Sequence, residues 1–172
     1  MAKKKVAFIV GSDSDLPHVK GGLDVLREFD IPFDFRVISA HRSPVLAHDF
    51  AANAASNGYA VIIAAAGCAA HLAGVIASLT TLPVIGIPMP GVLAGADSLY
   101  STVQMPGGVP VATMAIGPAG AKNAAILAAQ ILALSDEGLR KKLEDYKKKL
   151  VEQVKEKNER AQKQIGGKKL GF

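Results

Sequence analysis

The chain has 172 residues, 49% apolar and 20% charged, which allows a substantial core and excludes a disordered polymer. Its net charge of +5 is uneven: from Leu139 onward there are 12 Lys+Arg against 5 Asp+Glu, and before it 8 against 10. The basic excess therefore belongs to a C-terminal helix and tail, read as a solvated helix face rather than a nucleic-acid patch.

The single cysteine, Cys68, excludes an internal disulfide framework and a multi-cysteine metal site, and it fits a reducing, cytoplasmic setting. After Met1-Ala-Lys-Lys-Lys5 comes an apolar run only from Val6 to Val10, too short for a secretory signal. From Phe50 to Ala96, 47 residues carry no Asp, Glu, Lys or Arg. A membrane span is not expected there, because Gly and Pro interrupt the stretch, His71 lies within it and its apolar character is mostly Ala. A buried β-α-β centre, partly against other subunits, is expected instead.

In chain order the pattern alternates strand and helix. Val6 to Val10 reads as a buried parallel strand. A helix is expected from Leu16 to Phe29 and a second strand from Phe33 to Ile38. Ser43 is placed as an N-cap with Pro44 at the first helical position, opening a helix to about Asn57 with Gly58 at C′. Tyr59 to Ala66 is a third strand, Cys68 to Leu79 a short helix, and Pro83 to Ile87 a fourth strand. Ala96 to Gln104 reads as a helix and Val109 to Ile116 as a fifth strand. Ala119 to Leu134 is an Ala-rich helix, apolar nearly all round and expected to be buried. Alternating strands and helices imply an α/β, three-layer, doubly wound parallel sheet.

The last element is a long C-terminal helix over 135–164, capped by Ser135, with Leu139, Leu143, Tyr146, Leu150 and Val154 in one narrow stripe. Such a helix is expected to lie across its own domain and a neighbouring subunit. The chain is read as a single domain: a core over 5–134, this helix, and a loose tail over 165–172.

Four segments offer chemistry. Gly11-Ser-Asp-Ser-Asp15 sits between the first strand and its helix, where hydroxyls and backbone N–H groups make an anion site. It is neither a dinucleotide fingerprint nor a Walker loop, and capping alone explains Ser and Asp there about equally well. His41-Arg42 follows the second strand and sets a proton-transfer group beside a fixed cation. The bland alternative is a surface His and an Arg paired with an acid. Both loops fall on one edge of the sheet, which favours function.

The third segment, Ala64 to Gly74, is a run of tiny residues that carries His71 and lets backbone amides approach a ligand. Taken alone, His71 reads as a hydrogen-bonded core histidine and Cys68 as plain packing. The fourth, Asp97 to Pro106, has a polar face at helical spacing suited to an interface or a site rim. His18 and His48 are assigned to helix surface, and no cluster has metal-ligand spacing.

Together these segments resemble the PurE family of purine biosynthesis. The resemblance runs through Gly11-Ser-x-Ser-Asp15, Ser39-Ala-His-Arg-x-Pro44, Gly67-x-Ala-Ala-His-Leu-x-Gly74, Asp97-Ser-Leu, Val103-Gln-Met-Pro106 and Gly108-Val-Pro-Val-Ala112, in family order. Arg42 and the His71 loop look like the class I branch, a mutase. The class II branch, which carboxylates with CO2 directly, usually carries Lys at that position. Ala65, Cys68, Ala73 and Val75 depart from the family pattern.

The resemblance implies a flavodoxin-like fold, a homo-octamer, a ribonucleotide substrate and no metal or other cofactor. It implies His41 as the general acid and base and Arg42 on phosphate. Ser12, Ser14, Asp15 and Ser39 would bind substrate, with Asp15 on the ribose. Gly67, Ala69, His71 and Leu72 would also bind substrate, with the Ala/Gly loop over 64–74 enclosing CO2 and His71 orienting a carboxylate. Two rival readings from other classes are a flavin-binding module and a basic scaffold built on the terminal helix. The first predicts aromatic stacking residues near the sheet edge, and the chain has no Trp.

Overall fold

The computed structural model describes residues 4–166, so the first three residues and most of the expected loose tail lie outside it. The chain divides after Leu132 into two compact units.

The first unit is built on five parallel strands in the order β2-β1-β3-β4-β5. They are β1 (Lys5–Val10), β2 (Phe33–Val37), β3 (Tyr59–Ala66), β4 (Val84–Pro88) and β5 (Ala112–Thr113). This is the flavodoxin-like order, and it reverses direction between β1 and β3. Its helices are α1 (Leu16–Glu28), α2 (Pro44–Asn53), α3 (Leu72–Ala77), α4 (Ala96–Val103) and α5 (Pro118–Ala133). A short 3-10 turn over Asp13–Asp15 leads into α1.

The central strands are buried along both faces, as the uncharged run requires. One face carries Ala7, Ile9, Ile62, Ala64 and Val84 against Ala47, Phe50 and Ala51 of α2 and Leu72, Ala73 and Ile76 of α3. The other face meets α1 and α5, whose backbones approach closely. A Cβ built on Gly22 of α1 would stand 2.5 Å from the Ala121 carbonyl oxygen of α5 and 3.3 Å from the Phe8 ring. Gly86 on β4 is equally constrained, with Thr102 of α4 2.5 Å and Ala73 of α3 3.2 Å from its would-be Cβ.

At the edge of the sheet Asp34 accepts hydrogen bonds from Lys5 Nζ at 2.8 Å and from the Tyr59 hydroxyl. These bonds, the Lys5 one foremost, hold the Asp34 carboxyl below its ordinary range. The same bond to Asp34 raises Lys5, and burial raises the Tyr59 phenol.

The second unit is α6 (Glu137–Gln164) with the turn before it. Leu139 is buried, Leu143, Tyr146 and Leu150 are half-buried, and Val154 is exposed.

Several boundaries differ from the sequence expectation. The third helix starts at Leu72 rather than Cys68, because Cys68 adopts φ +55°, which no right-handed helix accommodates. The second helix ends at Asn53, with Gly58 at φ +81° closing the turn that follows. Ser43 makes no cap bond: its hydroxyl donates instead to the Ser39 carbonyl at 2.8 Å. The last helix is capped by Asp136, not Ser135, through the Leu139 amide at 3.0 Å. The fifth strand contracts to Ala112–Thr113. The Ala-rich helix is buried on one face, through Gly120, Ala121, Ala124, Ala125, Ala128 and Ala129, while Lys122 and Asn123 are exposed.

Gly22→Val is expected to lower stability by about 1–3 kcal/mol through overpacking against α5, read from the urea midpoint. Asp34→Asn is expected to destabilise the protein at pH 6. Because the folded carboxyl titrates below its ordinary value of 3.8, its contribution is present above that pH and lost as pH falls through the depressed folded value. Urea melts of both proteins at decreasing pH check this: the gap between them is expected to close only in acid.

Candidate active site

All of the loops that follow β1 to β4 open on the carboxyl edge of the sheet, where β1 and β3 send their chains to opposite faces. A cleft of about 460 Å³ lies there. Its wall includes Gly11, Ser12, Ser14 and Asp15 after β1, then Ser39, Ala40, His41 and Arg42 after β2. Ala66, Gly67, Cys68, Ala69 and Leu72 after β3 and Pro90 after β4 complete it.

The first loop is internally bonded. The Ser12 hydroxyl accepts from the Ser14 amide at 3.3 Å and from the Ser14 hydroxyl at 2.9 Å. Burial pushes the Asp15 carboxyl above its ordinary value, and a backbone hydrogen bond with Ser12 offsets this only in part. Burial thus disfavours the Asp15 anion.

The second loop is tied to the first by Arg42. Its guanidinium donates to the Gly11 carbonyl at 3.2 Å and to the Ser39 hydroxyl at 3.5 Å. The Ser39 hydroxyl also accepts from the Arg42 amide at 3.2 Å. Among the described residues no carboxylate pairs with Arg42. The surface ion pair that would explain this Arg without a ligand is therefore missing, and an unneutralised cation faces the cleft.

His41 and His71 meet across the cleft wall, Nε2 to Nδ1 at 3.0 Å, with their rings edge to face. One nitrogen must donate and the other accept. His71 is exposed, not the core histidine that its apolar surroundings in sequence suggest. It does not line the cleft itself but supports His41, which does. Every other residue predicted for the site stands on the wall.

Sequence reasoning also underrated Cys68, which is exposed on the wall rather than packed away. Its position beside Gly67 in a tiny-residue loop was the available signal. Outside the regular elements, none of the described backbone hydrogen bonds uses the amide of Cys68, Ala69 or Ala70 as donor. Cys68 itself adopts a left-handed backbone conformation, φ +55°. Pro90 had no sequence signal, since only the fold brings it here. His48 is exposed on α2, 3.5 Å from Asp49, as a surface residue. No group of three or more His, Cys, Asp or Glu is gathered for a metal among the described residues, and no helix among them is long and apolar enough to cross a membrane.

Comparisons with known proteins place the chain among relatives. An N5-carboxyaminoimidazole ribonucleotide mutase from Thermotoga maritima is 50% identical over 163 residues, covering 94% of each chain. The Escherichia coli K12 protein of the same name is 49% identical over 151 residues, 87% of this chain and 89% of that one. The crystal structure of Treponema denticola PurE superposes with a TM-score of 0.82 at 27% identity, covering 91% of this chain and 98% of that one. The AIR carboxylase family model matches residues 5–153, which include all four loops of the cleft wall, and the chain belongs to that family.

Proposed function

We propose that the chain is an N5-carboxyaminoimidazole ribonucleotide mutase, moving the carboxylate from the exocyclic nitrogen to C4 of the imidazole without ATP. The observation that carries this reading is the half-identity to mutases over nearly the whole chain, in a fold that brings Arg42 and His41 to one cleft. The direct carboxylase reading is the weaker one, because the relatives at about half identity are named as mutases.

The cleft volume falls in the ordinary range for small-molecule sites, about 300–1,000 Å³. Arg42 takes the phosphate through its planar fork. Ser12, Ser14 and Ser39 supply hydroxyls, and Asp15 accepts from the ribose diol. The amides and small side chains of Gly67, Ala69 and Leu72 surround the carboxylate and the CO2 released from it, and His71 helps to orient it. His41 protonates the nitrogen as its bond to the carboxyl carbon breaks. C4 then attacks CO2, and His41 takes the C4 proton, which restores the aromatic ring and the starting protonation of the imidazole. Each proton given is returned, so no net acid or base is consumed. We further assign the chain to a cytoplasmic homo-octamer in which the narrow stripe of α6 contributes to contacts between copies.

His41→Asn is expected to keep product binding and to lose about 10²–10⁴-fold in turnover, read by titration and by the mutase assay. Near-normal turnover would remove His41 from the proton-transfer role. Arg42→Ala is expected to raise KM by about tenfold to a hundredfold, the loss of charged hydrogen bonds worth about 1.5–3 kcal/mol, with a smaller change in kcat. Assays with each substrate, without ATP, check the reaction itself: equal turnover of aminoimidazole ribonucleotide plus bicarbonate would favour the carboxylase.

A further inference from the structure

The contact between His41 and His71 holds two imidazole nitrogens 3.0 Å apart on exposed side chains. Joined by a hydrogen bond, the pair shares one proton between two lone pairs. Both lone pairs are also metal-ligand positions, since neutral imidazole binds through either ring nitrogen. Two imidazoles on one tetrahedral zinc, at about 2.05 Å each, stand about 3.3 Å apart. The observed pair therefore needs to open by only about 0.3 Å to hold such an ion.

The two residues come from different loops, after β2 and after β3, and each of those loops is braced. Ser39 and Ser43 bond one another across the first. The His71 amide donates to the Ala69 carbonyl at 2.8 Å, and its carbonyl accepts from the Val75 amide at 2.9 Å. The two ring-bearing backbones are thus held by local hydrogen bonds, and the rings themselves by their contact with one another.

We propose that His41 and His71 form a two-ligand chelating site for a borderline divalent cation such as Zn2+, and that the bound ion blocks turnover by occupying the His41 imidazole. Hard cations such as Mg2+ prefer oxygen donors and are excluded by the donor set. With two protein ligands the remaining positions are open to water, so the ion exchanges readily, unlike a four-ligand structural zinc. Binding of the ion stands on the geometry alone; its inhibitory effect rests on the mutase reading.

The test is Zn2+ titration of the untagged full chain against a chromophoric chelator, followed by the mutase assay. Wild type is expected to take up a single equivalent. His71→Asn and His41→Asn are each expected to lose at least about tenfold in affinity, the lower end of what disturbing even a supporting residue of a metal site costs. His48→Asn is expected to bind as wild type does. His71→Gln serves as the second variant if circular dichroism shows that His71→Asn fails to fold. Zn2+ is expected to inhibit competitively with the nucleotide, reversibly on adding EDTA, while Mg2+ has no effect. Wild type without zinc uptake, or uptake unchanged in both His41 and His71 variants, overturns the site. Normal uptake by a protein without mutase turnover leaves the site standing and rejects the mutase reading instead.

Discussion

The rest of the structure depends on one constraint: parallel strands must be joined by crossovers, and right-handed crossovers choose a face of the sheet by the direction in which the next strand lies. With the order β2-β1-β3-β4-β5, α1 leaves β1 for one face while α2, α3 and α4 cover the other. The chain leaving β1 and the chain leaving β3 therefore part company at the carboxyl edge. The crevice between them is a consequence of strand order, and the cleft lies in it.

Small side chains make that frame tight enough to hold loops in place. Ala and Gly bury less apolar area per residue than Leu or Ile, so they contribute less to stability individually. In exchange the backbones come close, as at Gly22 against Ala121 and Gly86 against Thr102. Short, rigid spacing between layers fixes where each strand ends. The loops inherit that position, which is why Arg42, in the loop after β2, reaches the Gly11 carbonyl after β1 within hydrogen-bond distance.

The chemistry of the cleft follows from what is left unpaired. Arg42 is held by a carbonyl and a hydroxyl, neutral acceptors that orient the guanidinium without cancelling its charge. Asp15 is partly desolvated, which holds its carboxyl above its ordinary value. His41 contacts a second imidazole, a partner that can donate or accept a hydrogen bond.

Much of this was legible in the residues. Val6–Val10 and Tyr59–Ala66 stood out because strands buried on both faces read as unbroken apolar runs. The ordered set of loop motifs pointed to Ser12, Asp15, His41 and Arg42, although capping alone would account for Ser and Asp at a strand-to-helix junction. Boundaries were less legible: Cys68 was read into a helix because nothing in its side chain announces a left-handed backbone. Val109–Ile116 looked like a full strand by composition, yet only Ala112 and Thr113 pair with β4, because pairing depends on where the neighbouring strand runs. The sequence alone determined the alternation of elements and the residue types at each strand tip, through periodicity and local propensity. Only the tertiary structure decided that His71 contacts His41 across thirty positions, that Arg42 has no carboxylate partner among the described residues and that Pro90 completes the wall. Those are distances between segments far apart in the chain, and they are set by the packing of the whole sheet.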